Sequence, residues 1–273
     1  SKLLLSNKVN YWTGVEGKKF EKEFANFANT KYAIAVSNGT VAIDLALKAL
    51  NLKKNDEVIV TPRSFIASVS SVINYGATPV FADIDLNSGN ISLKTISKVF
   101  TKKTKAILCV HIAGFPCEMD KIMRFAKKKS LKVIEDCSQA HGAKIKNKSV
   151  GSFGDISTWS FCQDKIITTG GEGGMITTNS YKLWKKSWSL KDHGKDYNEV
   201  FFSKSKGYRW LHHSFGGNYR LTEFQSALGR IQLKKIKNWN NKRNYNSKII
   251  LNELKKYKGL VLIPKLPKDY THA

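Results

Sequence analysis

The sequence predicts an α/β fold: a three-layer large domain with a mostly parallel central sheet, followed by the start of a small α+β domain. Short apolar segments alternate with segments of helical apolar spacing through the first half of the 273-residue chain. Polar residues and glycines directly follow several of the apolar segments, as they do at the carboxyl ends of parallel strands. With 41% hydrophobic residues, the chain can bury one large core and part of a second.

The alternation begins with helical spacing over residues 20–28 and an apolar strand over 32–36. Gly76 is placed to end a helix, and Ser92 is placed to cap the next one. Strands and helices that alternate at this length indicate a parallel sheet covered on both faces. The further strands are predicted over residues 57–61, 79–84, 106–111 and 132–136, and the helices between them over 41–50, 67–75, 93–100 and 119–129.

The pattern changes after Gly151. Residues 156–161 predict a further strand, and the glycine-rich segment 170–174 predicts a tight turn into an antiparallel strand. Helices are then predicted over residues 181–190 and, as one continuous element, over 222–250. We expect a large domain over residues 1–235, with residues 236–273 forming the beginning of a C-terminal domain that is cut short.

The formal net charge of +25 raises the possibility of a nucleic-acid partner. The excess consists mostly of lysines spread along the chain, and its densest run, residues 127–129, has no aromatic residues interleaved for base stacking. Blocks of charge usually mark solvated faces. We therefore expect no nucleic-acid partner, although a lysine-rich nucleic-acid-binding protein stays open as a hypothesis of another class.

The cysteines and the apolar segments indicate the compartment. None of the four cysteines forms a CxxC pair, so neither a zinc ribbon nor a redox dithiol is expected, and no metal site is predicted. Cys109, Cys137 and Cys162 lie in or beside apolar segments, as buried thiols do in a reducing compartment. No run of about twenty apolar residues occurs, and the start does not resemble a signal peptide. We expect a cytoplasmic protein without a membrane partner.

Four features carry candidate chemistry. Residues 37–40 stand between a strand and a helix, where backbone N–H groups bind phosphate, although an ordinary N-cap explains them equally well. Asp136 ends a strand, and a carboxylate there either caps or pairs with a charge, or keeps the ring nitrogen of a cofactor such as pyridoxal phosphate protonated. Lys165 lies between an apolar strand and the glycine-rich turn, where burial favours a nucleophilic amine. His193 and the segment 216–220 predict only a binding loop.

Together these motifs resemble the DegT-type sugar aminotransferases, a branch of the fold-type I, aspartate-aminotransferase-like enzymes that use pyridoxal phosphate (PLP). The resemblance runs from about Asn10 to Leu233, most of the chain. Six stretches occur in the order and spacing of the family: SNGTVAIDLAL at 37–47, SFIAS with GATPVFADID at 64–85, HIAGFPCEMD at 111–120, IEDCSQAHGA at 134–143, SFCQDKIITTGGEGGMITTN at 160–179 and NYRLTEFQSALGRIQL at 218–233.

The resemblance implies a role for each matching residue. Lys165 matches the lysine that holds the cofactor covalently, and Asp136 matches the carboxylate that pairs with its pyridine nitrogen. The remaining matches are Gln139 beside the ring hydroxyl, Phe65 stacked on the ring, Gly39, Thr40 and Ser160 at the phosphate, Asn218 reaching that phosphate from the neighbouring subunit of a homodimer, and His111 and His193 as wall or substrate residues.

The resemblance implies that an amino group passes, usually from glutamate, to a keto sugar attached to a nucleotide diphosphate, for polysaccharide or glycan synthesis. Relatives that remove a sugar hydroxyl carry a histidine in place of the lysine, so Lys165 argues against a dehydratase. A non-catalytic regulator on the same fold is the other alternative, and the intact Lys165 and Asp136 argue against it.

Overall fold

A computed structural model describes residues 2–202, 211–257, 259 and 264–273. Its strands are β1 (Tyr32–Val36), β2 (Glu57–Val60), β3 (Thr78–Phe81), β4 (Thr104–Val110), β5 (Lys132–Asp136), β6 (Lys144–Ile145), β7 (Lys148–Ser149), β8 (Ile156–Ser160), β9 (Gly174–Thr178) and β10 (Tyr270–Thr271). Its helices are α1 (Lys2–Leu5), α2 (Glu16–Phe27), α3 (Gly39–Leu50), α4 (Ala67–Tyr75), α5 (Leu93–Val99), α6 (Met119–Lys128), α7 (Tyr181–Lys191), α8 (Tyr197–Phe202), α9 (Glu223–Leu233) and α10 (Ile236–Leu254).

The central sheet has seven strands in the order β1-β9-β8-β5-β4-β2-β3. The pairs from β3 across to β8 are parallel, and β9 is antiparallel to both of its neighbours, β8 and β1. The predicted parallel sheet and the antiparallel strand after the glycine-rich turn are therefore confirmed. Because β8 and β9 run in opposite directions, the connection between them, which carries Lys165, lies at the same sheet edge as the carboxyl end of β5.

Alternating side chains of the strands pack against helices on both faces, which produces the three predicted layers. Ile34, Val60 and Leu108 point to one face, where they pack with residues of α3, α4 and α7. On the opposite face one cluster joins Trp159 to α2, and another joins Cys109 to α5 and α6. Cys109, Cys117 and Cys137 are buried free thiols, whereas Cys162 is partly exposed.

Local signals for helix ends are mostly confirmed. Gly76 ends α4 in the left-handed conformation, at φ 91°, which a residue with a side chain adopts only at a cost. The Ser92 side chain accepts a hydrogen bond from the Thr95 N–H and caps α5. The predicted strand over 79–84 is shorter, since β3 ends at Phe81 and the Asp85 side chain organises the following turn.

The single helix predicted over residues 222–250 is wrong. The structure contains two helices, because the chain turns at Lys234 and Lys235 between α9 and α10. Thr222 caps α9 through the Gln225 N–H, and α9 packs on α2. In α10 only Ile236 is buried, and the Asn240 side chain donates to the His141 carbonyl at 2.7 Å, so this helix packs on the rest of the described protein mainly near its start.

The last described segment returns to the large body of the molecule. β10 pairs with β6, which also pairs with β7, so these three form a small second sheet. The Ala273 N–H donates to the Gly114 carbonyl, and the Ala273 side chain is buried. The division into residues 1–235 and 236–273 stays a prediction, and residues 258 and 260–263 of the second part lie outside the described residues. None of the helices in the described part of the chain combines the length and apolar character needed to cross a membrane.

Candidate active site

A cavity of about 690 Å³ opens at the carboxyl edge of the parallel strands. It lies between the start of α3, the segment before α4, the ends of β4 and β5, and the connection from β8 to β9. The sequence predicts a site at this sheet edge, because ligands bind at the carboxyl ends of parallel strands. The lining residues include Asn38, Gly39, Thr40, Ser64, Phe65, Ser68, Asp136, Ser138, Gln139, Ser160, Cys162, Asp164, Lys165 and Glu172.

The start of α3 forms one wall of the cavity and offers backbone N–H groups to it. The Asn38 side chain accepts from the Val41 N–H at 2.9 Å, so the ordinary capping role does apply. The N–H groups of Gly39 and Thr40 belong to the first turn, where a helix provides no acceptor. A Cβ on Gly39 would lie 2.7 Å from the Ser160 Cβ, so only glycine lets this turn approach β8 so closely. Capping and phosphate binding by residues 37–40 are therefore compatible.

Asp136 ends β5 at the floor of the cavity and is 6% exposed. Its Oδ1 accepts from the Ser138 N–H at 3.0 Å, and its Oδ2 accepts from the Ser68 hydroxyl at 3.3 Å. These two bonds fix the carboxylate plane. A buried carboxylate with an open cavity beside it can receive a further N–H donor from a ligand.

Gln139 lies in the loop after β5 and is oriented by the backbone. Its Oε1 accepts from the Ala113 N–H at 2.6 Å, and Ala113 adopts a left-handed conformation with φ 51°. Because the oxygen is engaged in this bond, the amide nitrogen of Gln139 is the end that can donate to a ligand in the cavity.

Lys165 lies on the connection between β8 and β9, which several backbone hydrogen bonds hold. The Phe161 N–H donates to the Gly173 carbonyl at 2.7 Å, and the Gln163 N–H donates to the Gly171 carbonyl at 3.0 Å. The Lys165 side chain is 20% exposed, and its Nζ lies 2.7 Å from Asp164 Oδ2. The amine is thus accessible from the cavity, and its present partner is an exposed carboxylate.

Phe65 stands at the mouth of the cavity with 70% of its surface exposed. Little of the Phe65 ring is therefore covered by other described side chains. The ring can therefore stack on a flat ligand. The segment that carries it is held by the Ser64 and Ser68 hydroxyls, which are 2.8 Å apart.

The structure does not bring all the predicted residues together. His111 is not a wall residue: it is fully buried, because its ring binds Glu135 and the Cys117 N–H inside the protein. His193 is exposed and has φ 58°, and neither it nor Asn218 lies among the residues that line this cavity. Asn218 is exposed, on a segment that bridges to Asp192.

Several lining residues are not predicted from the sequence. Ser68 bonds to Asp136 from α4, a contact between residues 68 positions apart that no local pattern shows. Asp164 and Glu172 are part of the matching stretch 160–179, but the sequence gives neither a role at the cavity, and it predicts Cys162 only as a buried thiol. The Cys162 Sγ lies 3.8 Å from Glu172 Oε1 at the cavity. A polar residue next to Lys165 was the available signal for Asp164.

Comparison with known proteins supplies the family. The model of the DegT/DnrJ/EryC1/StrS aminotransferase family matches residues 2–273. The chain belongs to this family. Its predicted α/β fold and its enzyme class, an aminotransferase, are thereby confirmed.

Individual relatives agree with this placement. GDP-perosamine synthase of Escherichia coli O157:H7 is 41% identical over 98% of this chain and 69% of its own length. The GDP-perosamine synthases of Vibrio cholerae and Caulobacter vibrioides are 40% and 43% identical over 82% and 80% of this chain. The chain spans only 59% and 56% of the lengths of those two relatives.

Solved structures show the same architecture. The aminotransferase of Psychrobacter cryohalolentis is 58% identical, with a TM-score of 0.97 over 99% of this chain and 71% of that one. NtdA of Bacillus subtilis, solved with bound cofactor PMP, is 31% identical, with a TM-score of 0.83 over 98% of this chain and 59% of that one. The dehydratase ColD, solved as a point mutant with bound GDP-perosamine, is 31% identical, with a TM-score of 0.85 over 93% of this chain and 69% of that one.

Proposed function

We propose that this protein is a PLP-dependent aminotransferase that passes an amino group to a keto sugar linked to a nucleotide diphosphate. Glutamate is the amino donor we propose. The observation that carries the proposal is the convergence of three unlike groups on one cavity. An accessible lysine amine, a buried carboxylate and the first turn of a helix all line it. Each of these groups alone is common in proteins. PLP requires all three, because the amine binds its aldehyde, the carboxylate binds its ring nitrogen and the helix N-terminus binds its phosphate.

The residues present fit PLP. The close approach of α3 to β8 at Gly39 leaves a concave surface with N–H groups and the hydroxyls of Thr40 and Ser160, which suits a phosphate. Asp136 is the buried carboxylate within reach of a ring nitrogen, Gln139 offers an amide donor, and Phe65 offers a flat apolar face. Lys165 supplies the amine that holds the group covalently.

When bound, PLP supplies an electron sink for breaking bonds at the amino carbon of the substrate. The side chains of this chain then have distinct tasks. Lys165 Nζ would hold the cofactor covalently and, as the free amine, would take the proton from the α-carbon of the amino donor and pass it to the cofactor carbon bound to the nitrogen. Asp136 keeps the ring nitrogen protonated by accepting its hydrogen bond. The α3 N-terminus anchors the phosphate, so that the plane of the ring stays fixed during the exchange.

The substrate class is supported by the relatives. Similar proteins include GDP-perosamine synthases and a dTDP-3-amino-3,6-dideoxy-alpha-D-galactopyranose transaminase, so a nucleotide-linked amino sugar for polysaccharide synthesis is the product we propose. The cavity of about 690 Å³ has room for the cofactor and part of a sugar. A cytoplasmic location is also part of the proposal.

A homodimer with shared active sites is part of the proposal. Asn218 lies outside the lining of its own cavity and is exposed, as a residue that serves a second copy must be. His193 lies on the same surface segment, because its N–H donates to the Gly217 carbonyl. Both residues are therefore proposed to act across the dimer, His193 towards the substrate and Asn218 towards the cofactor phosphate.

The dehydratase ColD has the same fold, so the fold alone does not select the reaction. Lys165 selects amino transfer, since an amine can carry both the cofactor and the proton. The deciding experiment offers the purified protein a panel of GDP-, UDP- and dTDP-linked keto sugars with glutamate, and follows 2-oxoglutarate and the amino sugar. Formation of both products supports the proposal. Release of the sugar hydroxyl without amination would favour the dehydratase, and amination of a keto acid alone would refute the sugar substrate.

A further inference from the structure

Behind Asp136 lies a buried polar pair that the proposed chemistry does not use. The His111 Nε2 and the Glu135 Oε2 are 3.1 Å apart, and both side chains are fully buried. His111 follows the end of β4, and Glu135 is the residue before Asp136 on β5. Because side chains alternate along a strand, Glu135 points to the opposite face of the sheet from Asp136.

Glu135 is bound from several directions by the segment that follows β7. Its Oε2 accepts from the Gly151 N–H at 2.9 Å, and its Oε1 accepts from the Phe153 N–H at 2.8 Å and the Gly154 N–H at 2.6 Å. Burial acts to raise the pKa of Glu135, but the His111 hydrogen bond and these N–H groups outweigh it and the pKa lies below its ordinary value. Glu135 is therefore charged at neutral pH, where these hydrogen bonds hold it.

His111 connects this carboxylate to Asp136. Its backbone N–H donates to the Asp136 carbonyl at 3.1 Å, and its Nδ1 accepts from the Cys117 N–H at 3.0 Å. The ring is therefore held on both nitrogens, and the same residue is bonded to Glu135 by its side chain and to Asp136 by its main chain. A rotation of the β5 end that moved the Asp136 carboxylate would have to break several of these bonds together.

His111, Glu135 and Cys137 lie close enough to suggest a metal site. The ligand atoms of two of the three are already used, since both His111 nitrogens and both Glu135 oxygens take part in hydrogen bonds within the protein. A metal ion would have to displace the backbone N–H groups that now bind Glu135. The cluster is better explained by the neighbouring carboxylate of the active site.

We propose that His111 and Glu135 are positioning residues that fix the carboxylate of Asp136 against the cofactor ring nitrogen. The inference rests on the proposed function, because it concerns what Asp136 does there. Neither residue lines the cavity, so both act through the backbone of β5. Loss of either side chain should weaken the hydrogen bond between Asp136 and the protonated ring nitrogen. Substrate binding should stay largely unchanged.

The test uses His111→Gln and Glu135→Gln in the purified protein, with Glu21→Gln as the matched control. Glu21 is also a largely buried carboxylate that accepts a backbone N–H, from Ala35 at 2.9 Å, and it lies away from the cavity lining. Three quantities are measured for each protein: the Kd for PLP, the 15N shift of PLP labelled at the ring nitrogen, and kcat and KM for glutamate. Thermal melting of each variant reports the loss of stability.

We expect both test variants to shift the ring-nitrogen signal towards the deprotonated form and to lower kcat by about 10- to 100-fold, with little change in KM for glutamate. Glu21→Gln should lower the melting temperature without either effect. If the test variants only melt earlier, with the nitrogen signal and kcat of the wild type, the positioning role is refuted. Failure of both variants to fold would also refute it, since the pair would then serve the sheet as a whole. If the wild-type protein binds no PLP, the proposed function fails instead.

Discussion

Lys165 and Lys191 lie in two contrasting regions of the molecule. Lys165 lines the open cavity, with 20% of its side chain exposed and an exposed carboxylate, Asp164, as its partner. Lys191 is fully buried at the end of α7, with its Nζ 3.5 Å from Glu21 Oε1 and 3.8 Å from the centre of the Tyr11 ring. Burial lowers the pKa of Lys191, although the negative charges of Glu21 and Asp192 act to raise it.

The difference shows which property a covalent lysine needs. A nucleophilic amine was expected at Lys165 because its segment is apolar, yet the structure buries Lys191 far more completely. Lys191 is not among the described residues that line the cavity, and full burial keeps a ligand from its amine. Access to a ligand, together with Asp136 and the α3 N-terminus, distinguishes Lys165. Lys191 instead holds α7 against α2 and the N-terminal segment.

The largest effect is expected from Lys165→Ala. Loss of the amine removes both the covalent hold on PLP and the group that moves the proton, so amino transfer should fall by at least about 1000-fold. The absorbance band of the bound cofactor in the visible region should disappear as well. Stopped-flow absorbance and product analysis measure these two changes. An active Lys165→Ala variant with an unchanged band would mean that another amine does this work.

Lys191→Met should affect the fold and leave the cofactor site intact. Removing the lysine leaves Glu21 buried without its cation, which we expect to lower the free energy of unfolding by about 3 kcal/mol. The visible band and the Kd for PLP should match those of the wild type. Urea unfolding at neutral pH measures the first effect, and the double variant with Glu21→Gln should recover part of the loss. A folded Lys191→Met protein that no longer binds PLP would break the comparison.

His141 lies behind the cavity, packed on Trp159 and Phe161, and is fully buried. Burial, aided by the positive charge of Lys165, lowers its pKa from 6.5 to about 3. Between these two values the unfolded chain binds a proton that the folded protein does not, so the free energy of unfolding should fall as the pH drops below 6.5. The contribution is at most about 1.4 kcal/mol per pH unit.

The control for that pH dependence is His141→Gln, which cannot titrate. Unfolding curves from pH 6.5 down to pH 4 should show a shallower loss of stability in the variant than in the wild type. If stability falls equally with pH in the wild type and the variant, His141 must bind its proton in the folded protein over the same pH range as in the unfolded chain.

Asp164→Asn should have the smallest effect. The Asp164 side chain is 64% exposed, so its ion pair with Lys165 contributes less than about 1 kcal/mol to stability. Since Lys165 must leave this partner to hold the cofactor, we expect kcat to stay within about 5-fold of the wild type. Steady-state kinetics and thermal melting measure both quantities. A loss comparable to that of Lys165→Ala would make Asp164 part of the catalytic machinery.

Much of the fold could be predicted because strand and helix periods are local signals. The strands that end at Val36 and Asp136 were predicted correctly, because each is a short apolar run followed by polar residues. The break at Lys234 and Lys235 carries neither proline nor glycine, so no local signal announced it. The short strands β6, β7 and β10 also have no pattern of their own, because contacts distant in sequence create them.

The sequence predicts which residues lie at the carboxyl edge of the sheet, because that depends on their position along a strand. It does not predict which way their side chains point. His111 follows the last residue of β4 beside the cavity, yet its ring turns into the protein because Glu135 and the Cys117 N–H bind it there. The contact of Ser68 with Asp136 depends on how α4 packs, which sequence spacing does not give.

The central claim is that Lys165 holds the cofactor. Borohydride reduction of the PLP-loaded protein converts the linkage to a stable amine, and peptide mass spectrometry then locates the modified residue. The account predicts a phosphopyridoxyl group on the peptide that contains Lys165, and none on the peptide that contains Lys191. Modification of Lys191, or a reduced protein without any modified lysine, would contradict it.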